Sequence, residues 1–76
     1  MPMTMPNPAL QEQLQSIGLD ENSLKRNSLR TLIHRLTGEP PAMESTADDL
    51  AMQILLIANS GGVEIVQDVL AVRGDG

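Results

Sequence analysis

The strongest constraint in this chain is residues 50–58. Leu50, Ala51, Met52, Ile54, Leu55, Leu56, Ile57 and Ala58 are interrupted only by Gln53. A helix built from them is apolar nearly all round, so it belongs in the centre of the fold or at a seam between two chains. The flanking residues read as its punctuation. Ser45-Thr46-Ala47-Asp48-Asp49 offers Ser/Thr caps with a carboxylate three residues on, a capping box with Asp in place of the usual Glu. Asn59-Ser60-Gly61-Gly62 reads as its stop and as a hinge between helices.

Such an element needs cover, and the preceding sequence supplies it. Asn7 is a good N-cap and Pro8 suits the first helical position. Leu10, Leu14 and Ile17 follow at helical spacing, and Gly18-Leu19 is a helix-ending pair. A first helix is therefore expected over 8–17. A second is expected to start from a cap at Asp20 or Asn22, with Glu21 in its first turn. Leu29, Leu32, Ile33 and Leu36 form its apolar stripe. Thr37-Gly38 ends it and Pro40-Pro41 blocks continuation.

Residues 63–72 carry five β-branched side chains (Val63, Ile65, Val66, Val69 and Val72), which favour a strand. A lone strand has no pairing partner in an otherwise helical chain. Ile65, Val66, Val69, Leu70 and Val72 also fit one helical face, with Glu64, Gln67 and Asp68 opposite, so a fourth helix is expected. The fold class that follows is all-α, a small antiparallel three- or four-helix bundle. Residues 7–73 form one domain, with 1–6 as a flexible arm and 74–76 as a frayed end.

The core of this 76-residue chain is aliphatic, because there is no Phe, Tyr or Trp. Stacking platforms for single-stranded nucleic acid are missing with them. A core this small is a candidate for completion by self-association, which makes a homodimer one expectation. There is no cysteine, so disulfides and thiolate chemistry are excluded. A formal charge of −5 disfavours non-specific binding to nucleic acid or an anionic membrane. The unbroken apolar run Ile54, Leu55, Leu56, Ile57 and Ala58 is far short of the ~18–20 residues that span a bilayer. Residues 1–6 lack the charge and apolar pattern of a signal peptide. No membrane association and a cytoplasmic location are expected.

Catalytic and metal-binding patterns are also missing. One histidine and no cysteine cannot make a usual zinc site. His34 has no carboxylate on its own helix face to orient it, and it follows Arg30 by one turn. Asn27-Ser28-Leu29 resembles the Asp-Ser-Leu attachment site of acyl carrier proteins. It has Asn for Asp and places the serine within a helical pattern, so no carrier function follows. No enzyme activity and no cofactor are expected.

The charge distribution is uneven. Lys25, Arg26, Arg30 and Arg35 lie in the second helix, and the only other basic residue is Arg73. Arg26, Arg30 and His34 fall at i, i+4 and i+8, a ridge beside the apolar stripe. This ridge reads either as a docking surface or as a set of cations paired with Glu12, Glu44, Asp48 and Asp49 of neighbouring helices. The third helix has more apolar circumference than its neighbours need to cover. The expected function is protein–protein interaction, as a small regulator, inhibitor or adaptor of a larger protein. The expected contact residues are Arg26, Arg30, His34, Arg35, Met52, Leu55 and Leu56. The alternative is a nucleic-acid-binding regulator that reads with the second helix. The acidic remainder opposes it.

Overall fold

A computed structural model describes the backbone of residues 5–74. Among them the chain is all-helical: α1 (Pro8–Ser16), a 3-10 turn (Glu21–Leu24), α2 (Arg26–Thr37), α3 (Ala47–Ile57) and α4 (Val63–Gly74). The apolar stripes meet in one core of Leu14, Leu24, Leu29, Leu32, Leu50 and Ile54 with their neighbours. Helix α3 packs on both α1 and α2, and α4 packs on α2.

The caps explain the boundaries. The Asn7 side chain accepts the Leu10 amide at 3.0 Å and Pro8 opens α1. The helix closes when the Leu19 amide reaches the Leu14 carbonyl and the Gly18 amide reaches that of Gln15. That pair of bonds is a Schellman ending, and it turns Leu19 into the core. The Asn7 amide donates to Asp48 Oδ1 at 2.8 Å, which ties the start of α1 to the first turn of α3. The capping box at α3 forms as its sequence suggests. Thr46 Oγ1 accepts the Asp49 amide and Asp49 Oδ2 accepts the Thr46 amide. Gly38, in the left-handed region, ends α2.

Several expectations need correcting. The second helix does not run on from Asp20. Asp20 caps only the 3-10 turn, by accepting the Ser23 amide, and Lys25 is extended before α2 begins at Arg26. The turn buries Leu24, an apolar anchor outside the expected stripe. The N-terminal arm ends sooner than residue 6. Pro6 is fully buried, Met5 packs on the core, and the Pro6 carbonyl accepts from Gln11 Nε2. The remaining arm residues, 1–4, and residues 75–76 lie outside the described residues. Helix α4 includes Gly74. Ile65, expected on the inward face, lies outside it at 57% exposure, while Val66 is buried.

The link between α3 and α4 is a single wide turn, Ala58–Gly62, with non-helical backbone angles at Ser60 and Gly61. Gly61 has φ +89°, which an L side chain adopts only under strain. Gly62 is constrained differently. A Cβ there would lie 2.6 Å from the Ile57 carbonyl oxygen, so the turn closes only around a glycine. Counted across the kink at Ser60 and Gly61, Ala47–Ala71 is a stretch of 25 residues that is long and apolar enough to cross a membrane by length and composition alone. In the present fold Leu50, Ala51, Ile54, Leu55, Ala58 and Val66 of that stretch face the protein core.

Candidate functional site

Two surfaces were expected to matter, and the fold treats them differently. On α2, the Arg26 and Arg30 side chains reach across to the loop between α2 and α3. Arg26 Nε donates to the Ser45 carbonyl at 2.9 Å and Arg26 Nη2 to that of Met43 at 2.7 Å. Arg30 Nη1 donates to the Ala42 carbonyl at 2.8 Å and Nη2 to that of Pro41 at 3.1 Å. The planar guanidinium forks suit this gathering of adjacent carbonyls. The loop itself turns through a Ser45 amide to Ala42 carbonyl bond and holds Met43 out at 83% exposure. Arg26 and Arg30 of the ridge are thus held internally, but by neutral backbone carbonyls and not by the Glu12, Glu44, Asp48 or Asp49 carboxylates weighed as their partners. His34 and Arg35, in the last turn of α2, are exposed.

Sequence reasoning missed this clamp because carbonyl acceptors have no residue identity. The signal that was available is the pair Pro40-Pro41. Proline interrupts regular backbone pairing and leaves carbonyls in need of donors. A hollow of about 700 Å3 lies beside the clamp, between the start of α2 and residues 43–48. Ser28 lies in the first turn of α2, because that helix starts at Arg26, and not within it as expected. Its hydroxyl donates to the Asn22 carbonyl at 3.2 Å.

The second surface runs along the outside of α3 and over the glycine turn. Met52 is 55% and Leu56 66% exposed, one turn apart on the same helix face. Leu55, expected beside them, is 8% exposed and belongs to the core. Beyond Leu56 the chain forms a shallow groove of about 410 Å3 lined by Leu56, Ile57, Ser60, Gly61, Gly62 and Ile65. Leu56 and Ile65 line it together with the two glycines of the turn. The contiguous surface is therefore Met52–Leu56–Ile65, of which Ile65 was not foreseen. The β-branched pattern of 63–72 allotted it to the core face.

A third hollow, about 460 Å3, lies where α4 meets the end of α1, near Gly18 and Gln67. Gln67 Nε2, on its lining, donates to the Ile17 carbonyl at 3.2 Å. Among the described residues, no three His, Cys, Asp or Glu side chains gather into a metal-binding group. Comparison with family models, curated proteins and solved structures finds no match to this chain.

Proposed function

We propose that the chain is a non-enzymatic protein–protein interaction module, a small antiparallel bundle that docks a larger protein through the outer face of α3 and the groove beside it. The observation that supports this reading is that the large aliphatic side chains Leu56 and Ile65 line an open groove beside the glycine turn, with Met52 exposed one helical turn before Leu56. Single exposed apolar residues are ordinary, as Met43 is here, whereas contiguous ones mark contact surfaces. The groove-and-ridge form suits a helix laid along it. The nucleic-acid reading loses support, because Arg26 and Arg30 already serve the 41–45 carbonyls.

Affinity capture from the native host tests the reading. The bait is the full chain, compared with a Leu56→Glu/Ile65→Glu variant and an Arg35→Glu variant. Loss of the captured protein with the first variant and its retention with the second is the expected result. Equal capture by the wild type and the Leu56→Glu/Ile65→Glu variant would refute the docking surface.

A further inference from the structure

We propose that the occupant of the Met52–Leu56–Ile65 surface is a cationic amphipathic helix of a partner protein. The proposal rests on the docking surface assigned above and adds its chemistry. The argument is charge complementarity around an apolar strip. Between Arg35 and Arg73 the sequence carries Glu39, Glu44, Asp48, Asp49, Glu64 and Asp68 and neither lysine nor arginine. Three of these carboxylates are exposed and lie within one helical turn of a strip residue in sequence. Asp49 is exposed one turn before Met52 on α3. Glu64 and Asp68 are exposed on α4, the first beside Ile65 and the second one turn beyond it. The strip thus runs from carboxylate to carboxylate, with Met52, Leu56 and Ile65 between.

Two of the chain's five basic residues are engaged away from this strip. Arg26 and Arg30 are bonded to the loop carbonyls. A second copy of the chain would bring the same acidic frame against itself, and like charges brought together oppose docking. An anionic lipid surface meets the same repulsion. A helix with aliphatic residues at i, i+3 or i+4 and i+7, and Lys or Arg on its flanks, satisfies both the groove and its rim. The aliphatic strip would supply the buried area, and the carboxylates would steer the approach and set the orientation.

Defined peptides test this on the full chain. The probes are a fluorescent Leu/Lys peptide patterned as an amphipathic helix and its counterpart with every Lys replaced by Glu. Binding is read by anisotropy and mapped by amide chemical shifts. The Lys peptide is expected to bind, with shifts centred on 49–56 and 61–68, and to weaken with added salt. Leu56→Ser/Ile65→Ser leaves the charge unchanged and is expected to weaken binding about tenfold or more, since central apolar contacts dominate such interfaces. Glu64→Gln/Asp68→Asn leaves the strip unchanged and is expected to weaken it severalfold, by about as much as salt does. Both residue pairs are exposed, and thermal melts followed by circular dichroism check that each variant folds.

The proposal falls if the Glu peptide binds as well as the Lys peptide, or if neither binds. It falls if the Leu56→Ser/Ile65→Ser variant binds the Lys peptide undiminished, which would mean charge alone. It also falls if the strip proves to be covered by a second copy, seen as a dimer in sedimentation that this variant abolishes. Binding to phosphatidylserine vesicles that the same variant abolishes is the remaining refutation. A failure of the peptides alongside a captured host protein lost in the Leu56→Glu/Ile65→Glu variant would overturn the cationic helix and leave the docking surface standing.

Discussion

The ridge on α2 and the strip on α3 and α4 carry opposite kinds of surface, and they are committed in opposite ways. Arg26 and Arg30 are charged side chains of a type that usually belongs to solvent, yet they serve the interior order of a loop through four hydrogen bonds. Met52, Leu56 and Ile65 are side chains of a type that usually belongs to the core, yet they stand in water. The lesson is that residue type alone does not assign a surface. What assigns it is whether the rest of the chain supplies acceptors for the cations and cover for the aliphatic groups. Here the proline-rich loop supplies the first, and no helix among the described residues supplies the second.

The comparison can be broken most forcefully within α3 itself. Ile54 is fully buried and Leu56 is 66% exposed, two residues away. Ile54→Ala removes packed atoms from a small core and is expected to cost about 3 kcal/mol. Leu56→Ala is expected to stay within about 0.5 kcal/mol, as surface changes usually do. Urea denaturation of both variants checks this. Similar losses would mean that Leu56 is a stabilising contact and the strip is not free.

A smaller effect is expected at the glycine turn. Gly62→Ala places a methyl against the Ile57 carbonyl, and the turn must open to admit it. The expected cost is about 2 kcal/mol, within the range for forced overpacking. Gly61→Ala meets no neighbour but must hold φ +89°, and about 1 kcal/mol is expected. The order Gly62 above Gly61, read from thermal melts, distinguishes close approach from backbone strain. The reverse order would mean that the turn relaxes around a side chain at 62.

Much of the fold was legible because it rests on local chemistry. The Asn7 and Thr46 caps, the Gly18 and Gly38 endings and the stripe of Leu29, Leu32 and Ile33 each use residues close in sequence. What was not legible depends on long-range partners. The Asn7 amide bond to Asp48 joins residues 41 apart, and no spacing rule announces it. Lys25 is extended between α2 and the Glu21–Leu24 turn, which buries Leu24 against residues distant in sequence. Ile65 was misassigned because both faces of α4 carry β-branched residues, so periodicity alone could not choose between Ile65 and Val66. Of the surface residues, Met52 and Leu56 were foreseen from the excess apolar circumference of α3, while Leu55 turned inward with Ile54.

The finest test separates the clamp from an ordinary cationic surface. Arg26 and Arg35 lie on the same helix and carry the same charge, but only Arg26 gathers loop carbonyls. Arg26→Ala removes both bonds at once and leaves the Met43 and Ser45 carbonyls to water. A cost of about 1.5 kcal/mol is expected, near the lower end for hydrogen bonds from charged groups because the site is partly open. Arg35→Ala is expected to change stability by less than about 0.5 kcal/mol. Hydrogen exchange adds a local readout. The Ser45 amide, bonded to the Ala42 carbonyl, should exchange faster in Arg26→Ala and at the wild-type rate in Arg35→Ala. If both variants leave that amide protected, the turn holds itself. The α2 ridge would then be a solvated charged face after all, and the contrast with the apolar strip would reduce to exposure alone.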